Sequence, residues 1–177
     1  MAYLSYSFLE RNYSVTSADK RIALFEAKAA TATQNIFLSH STADDAHVDR
    51  VTLFFADFDA EVYADNGDDK LPAKPSTLTA RLLKNRIGRC ARFVVLVSPN
   101  TKSSAWIPWE LGIADGLKGV APIAILPITP SGDEQAWTKE VYFGLYPRVR
   151  YDGEEWTVYD PRDGKYWALH EWIHWDL

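Results

Sequence analysis

The sequence predicts an α/β chain: a five-stranded parallel β-sheet with helices on both faces. Three observations carry this reading. Strand-like and helix-like segments alternate in units of about thirty residues, the rhythm of strand–helix–strand crossovers. The segments 93–97 and 121–126 are apolar without interruption, as suits strands buried on both faces. The chain has 177 residues, 47% hydrophobic and 24% charged, enough for one domain with a sizeable core and too apolar for a disordered chain.

Each element has its own signal. Residues 17–30 place Ile22, Leu24, Phe25 and Ala29 among charged neighbours and predict an amphipathic helix. Residues 35–38 are a short apolar strand. Residues 44–58 carry Val48, Val51, Phe54, Phe55 and Phe58 at helical spacing. Residues 61–64 are a second strand, and 66–74, with Gly67 and Pro72, a loop. Ser76 caps a helix bearing Leu78, Leu82, Leu83 and Ile87. The strand 93–97 is stopped by Ser98-Pro99-Asn100, and a helix over 106–117 ends at Gly119. Strands at 121–126 and 148–151, a turn at 160–164 and a short terminal helix from Tyr166 complete the chain.

Composition excludes several function classes. Lys and Arg total 19 against 24 Asp and Glu, a net charge of −5, so no global basic field exists for nucleic acid. One cysteine, Cys90, rules out an internal disulfide and suits a reducing compartment. The first ten residues lack the pattern of a signal peptide, and 120–128 is too short to cross a bilayer. A cytoplasmic protein without membrane contact is expected. Aromatic residues reach 14%, with seven Trp. Trp106 and Trp109 flank Glu110, whereas Trp137, Trp156, Trp167, Trp172 and Trp175 lie later and are assigned to core packing, with an exposed partner surface as the alternative.

In a parallel sheet the ligand crevice lies at the carboxyl ends of the strands, where strand order reverses. The loop after Leu38 and the stretch after Val97 would meet there. Phe37-Leu38-Ser39-His40-Ser41, followed by Asp44, resembles the first motif of TIR domains. Glu61-Val62-Tyr63-Ala64-Asp65 resembles their second strand, and 66–74 stands where their BB loop lies. Residues 93–100 resemble the third strand, and Trp106-Ile107-Pro108-Trp109-Glu110 matches the Trp-x-x-x-Glu pattern of enzymatic members. The resemblance spans 35–151. It departs at Leu71-Pro72-Ala73-Lys74-Pro75, where relatives usually carry a glycine and where two prolines stiffen this loop.

The resemblance implies a flavodoxin-like three-layer sandwich, with the TIR domain over 35–177 and a helical extension over 1–34. It implies a stand-alone bacterial enzyme that cleaves the nicotinamide–ribose bond of NAD+, with NAD+ as substrate and no cofactor or metal. The product would be a cyclic ADP-ribose isomer or related conjugate, read by a separate effector in antiphage defence. Homotypic assembly is a further implied partner. Glu110 would be the catalytic group, with His40, Ser41, Asp65, Trp106 and Trp109 binding substrate. The chemistry asks for little more than this. Nicotinamide leaves as a neutral molecule, and a carboxylate near the ribose stabilises the oxocarbenium-like transition state. Burial of Glu110 would favour its neutral form, and a helix N-terminus its ionised form. Cyclisation requires adenine to attack the ribose carbon in place of water.

Three rivals stand beside this. His170-Glu171-Trp172-Ile173-His174 matches the zinc-hydrolase pattern His-Glu-x-x-His, yet no third ligand follows it. Ser41 and Ser103 are also simple helix caps. At the level of the whole chain, a non-enzymatic TIR interaction module and a nucleoside deoxyribosyltransferase, which shares a related fold, are the alternatives.

Overall fold

The computed structural model describes residues 2–14, 35–64, 76–101, 104, 106–130 and 141–175. The helix expected at 17–30, the loop at 66–74, Asp65, Ser103 and Trp137 lie outside the described residues. In chain order the elements are β1 (Leu4–Ser5), α1 (Tyr6–Asn12), β2 (Ile36–Ser39), α2 (Asp45–Ala56), β3 (Val62–Ala64), α3 (Thr77–Arg89) and β4 (Arg92–Val97). Then follow α4 (Trp106–Lys118), β5 (Ile123–Thr129), β6 (Arg148–Tyr151), β7 (Trp156–Tyr159), β8 (Tyr166–Ala168) and α5 (Leu169–His174). Among the described residues no helix is long and apolar enough to cross a membrane.

The five expected strands form a parallel array in the order β3-β2-β4-β5-β6. Order reverses between β2 and β4, which places the crevice at Ser39 and Val97. The reason both faces are apolar is visible in β4. Val94 and Leu96 point into a core shared with Leu9 of α1, Phe54 of α2 and Trp172 of α5. Phe93, Val95 and Val97 point into a second core with Leu83 and Ile87 of α3 and Ile107, Leu111 and Ala114 of α4. Each of these side chains is all but fully buried, and each Val, Leu, Ile or Phe among them contributes about 1.5–3 kcal/mol of apolar burial.

The helix ends follow local chemistry. Ser76 Oγ accepts the Thr79 N–H at 3.1 Å, the expected cap of α3. Helix α2 stops at Ala56, two residues short of the expected end, as Asp59 enters the left-handed region at φ 55°. Gly119 closes α4 at φ 70°, with its N–H on the Asp115 carbonyl at 2.9 Å.

The sheet continues past the expected five strands. β7 and β8 add antiparallel to β6, and β1 lies parallel to the far half of β5. The terminal helix therefore starts at Leu169 rather than Tyr166, because residues 166–168 pair with β7 as an edge strand. Tyr and Trp favour such a pleated edge. Residues 2–14 join the same body: Ala2 bridges Tyr151, and Leu9 and Tyr13 enter the first core. Of the tail tryptophans, Trp172 is fully buried and Trp156 and Trp167 pack against that core, while Trp175 is 43% exposed.

Cys90 caps α3 and is buried. Burial pushes its thiol up to about 11, against the opposing pull of Lys118 and Arg86. A raised folded value means that the stability it contributes is complete below the unfolded thiol value of about 8.5 and is lost as pH climbs towards the folded one. Between pH 8.5 and 11 the wild type should lose several degrees of melting temperature (about 2–8 °C) that Cys90→Ala does not lose. Parallel melting curves for the two proteins would disprove this.

Candidate active site

The buried stripe of α4 runs through Ile107, Glu110, Leu111 and Ala114. One of these four is a carboxylic acid. Glu110 is 3% exposed, and a carboxylate in an apolar stripe costs several kcal/mol unless something holds it. Ser39 does so. Its hydroxyl donates to Glu110 Oε2 at 2.5 Å, in a buried contact between the end of β2 and the first half of α4. The alternation of β2 explains the meeting: Phe37 and Ser39 share the face that α4 covers. The contact lies at the reversal of strand order, and Pro108 in the first turn of α4 removes only an N–H without a helical partner.

Trp106 and Trp109 precede Glu110 on the same helix, half-buried against the second core. Their rings meet edge to face, with centroids 5.2 Å apart at 82°. Lys84 Nζ of α3 lies 6.0 Å from the Trp109 centroid. Trp109 thus faces α3, while Trp106 stands one turn before Glu110. A groove of about 590 Å3 opens between α3 and α4, lined by Lys84, Gly88, Gly112, Gly116 and Leu117 among others. Of α4, it is Gly112, Ile113, Gly116 and Leu117 that line it, and Glu110 is not part of the lining.

This parallel sheet, with an acid at its switch point, agrees with the comparison of the chain with known families. The family model described as TIR domain matches residues 36–153. This chain belongs to the TIR-domain family. A Bacillus cereus (strain MSX-D12) protein named "Probable 3' cyclic ADP-D-ribose synthase ThsB'" is 31% identical over 151 residues, spanning 82% of this chain and 77% of that protein.

Within the TIR domain the remaining candidates fall into place unevenly. His40 is buried, with Nε2 3.1 Å from Asp45 Oδ1 and Nδ1 3.4 Å from the Leu38 carbonyl, so its ring is held by its own loop. Ser41 caps the 3-10 turn Thr42–Asp44, accepting the Ala43 N–H at 3.4 Å. The structure brings His40 and Ser41 to the same sheet end as Glu110. At the far end of the chain, the His170 and His174 rings lie 4.6 Å apart on α5. His174 Nε2 is 2.9 Å from the Phe58 carbonyl. Among the described residues no group of three His, Cys, Asp or Glu is arranged to hold a metal.

Ser39 is the residue that sequence reasoning left unassigned, although strand parity marks it: it is two residues from core Phe37, on the side facing α4. Ser39→Ala would leave the acid without this donor. We expect kcat on NAD+ to fall about tenfold, the scale of one lost charge-assisted hydrogen bond of about 1.5 kcal/mol. Initial rates decide this, and a variant as fast as wild type would remove Ser39 from the site.

Proposed function

We propose that this TIR protein cleaves the nicotinamide–ribose bond of NAD+ and releases a cyclic ADP-ribose isomer as a signal in bacterial antiphage defence. The observation that carries the proposal is Glu110, a buried acid in an otherwise apolar helix stripe, oriented by Ser39. Such a carboxylate suits the positive charge that develops on the ribose as nicotinamide departs. Nicotinamide leaves with the electron pair of the broken C–N bond. A nucleophile from the adenosine half of the same molecule then bonds to the ribose carbon and loses its proton to solvent. Water in its place would give linear ADP-ribose. The Trp106–Trp109 pair supplies an aromatic wall against which a ring could fold.

The name carried by the Bacillus cereus relative supports the cyclic product over the linear one. On this reading the product acts on a separate effector protein, and TIR self-assembly is a means of controlling activity. His40, Ser41 and Asp65 are assigned to substrate binding. The test is incubation of the full chain with NAD+, followed by mass analysis. A cyclic product weighs one water less than ADP-ribose and appears in step with nicotinamide. No nicotinamide release from concentrated protein would refute the enzyme reading.

A further inference from the structure

A second buried acid stands at the same end of the sheet. Asp44 is 0% exposed. It immediately precedes α2, where an aspartate ordinarily caps the helix, yet its side chain makes no capping hydrogen bond there. The carboxylate turns instead to the loop after β4. Its Oδ2 accepts from Ser98 Oγ at 2.6 Å and its Oδ1 from Asn100 Nδ2 at 2.8 Å. Two donors on one buried carboxylate make a strong, directional tie between the two loops that flank the switch in strand order.

From that loop a run of hydrogen bonds leads into α4. The Ser98 N–H donates to Thr101 Oγ1 at 2.8 Å, and the Thr101 N–H to the Ser98 carbonyl at 3.2 Å. The Ser104 N–H donates to the Thr101 carbonyl at 3.1 Å, and the Ile107 N–H to Ser104 Oγ at 3.3 Å. Ile107 is in the first turn of α4, and Glu110 follows on the same face. The short segment from Ser39 to Asp44 therefore holds α4 twice: at Glu110 directly, and at the loop that feeds the helix.

We propose that Asp44 is a positioning residue, which through Ser98 and Asn100 fixes the entry of α4 and hence the placement of Trp106 and Glu110 toward the substrate. The proposal rests on the NAD+-cleaving function given above. Tyr6 of α1 lies near this acid: burial first, and the negative charge of Asp44 second, raise its hydroxyl above the usual tyrosine range.

The experiment pairs steady-state kinetics with hydrogen exchange on the full chain, comparing wild type, Asp44→Asn, Asn100→Ala and Glu110→Gln. A misplacement of about 1 Å at a reacting centre costs up to about a hundredfold, so Asp44→Asn is expected to lower kcat by about 10- to 100-fold with KM for NAD+ within about threefold. Exchange of the amides of Ser98, Asn100 and Thr101 and of the first turn of α4 should quicken by about tenfold or more in the same variant. Glu110→Gln should lose activity with exchange at 98–101 unchanged. Asn100→Ala removes one donor only and serves if Asp44→Asn does not fold; it should show both effects at smaller size. An unchanged kcat in the folded variants overturns the proposal, as does a lowered kcat without faster exchange, or a change confined to KM. If the wild type does not consume NAD+, the functional reading fails on its own. Exchange then decides whether Asp44 holds the entry to α4: quickening that stops short of the first turn of α4 overturns it.

Discussion

Glu110→Gln should lower the rate of NAD+ consumption by about a thousandfold, the upper range for removing one preorganised electrostatic group from an active site. The substitution keeps the shape of the side chain. The Ser39 hydroxyl, 2.5 Å from the acid in the wild type, still finds an amide oxygen to donate to. What disappears is the negative charge opposite the developing cation. Folding should be unharmed or slightly improved, because a neutral amide is easier to bury than a carboxylate. The measurement is nicotinamide release at saturating NAD+, beside a melting curve. A variant retaining more than about a tenth of wild-type activity with an unchanged fold would exclude Glu110 as the group that stabilises the transition state.

Trp172→Ala should destabilise the protein by about 4 kcal/mol, within the range for emptying a large aromatic site. Trp172 is fully buried, and its indole N–H donates to the Ala121 carbonyl at 3.0 Å. Its carbonyl accepts from Arg92 Nε at 2.5 Å, and the Arg92 guanidinium lies 5.4 Å from its ring centre. Arg92 also donates to the Trp175 carbonyl, so one buried guanidinium at the start of β4 fastens the end of α5. The alanine removes packing and leaves a carbonyl without its donor. Urea unfolding measures the loss. A change under about 1 kcal/mol would mean that α5 melts apart from the rest. Arg92→Ala added to Trp172→Ala should cost less than the two changes separately, since they share the contact.

The parallel core was legible in the sequence because its strands are short and apolar on both sides. The run at 93–97 has no polar residue to place on a solvent face, so it demanded helices above and below. Glu110 was legible through the spacing to Trp106; its place in the buried stripe with Ile107, Leu111 and Ala114 is a finding of the structure. The partners of that acid were harder to read. Ser39 and Glu110 are far apart in the chain, and their meeting depends on which face of β2 receives α4. Asp44 was legible as the start of a helical stretch and as part of the first motif, and only its distances to Ser98 and Asn100 reveal its tie to the loop after β4. The antiparallel strands of the tail were missed because Tyr166–Ala168 is too short for a period of two to stand out from the helix that follows. The tail tryptophans were read as packing, and Trp172 carries that role most fully.

The pairing of Ala2 with Tyr151 and the β6–β7 hairpin have a consequence for where this protein can be cut. The matched family stretch closes at residue 153, between the two arms of that hairpin. An excised segment 36–153 would keep the five parallel strands, Ser39, Asp44 and Glu110. It would also strip Leu9, Val158, Leu169, Trp172 and Ile173 from one face, baring Leu96, Leu126 and Val149 to water. The limits within which a family is recognised are narrower here than the limits within which the chain is a single thermodynamic object.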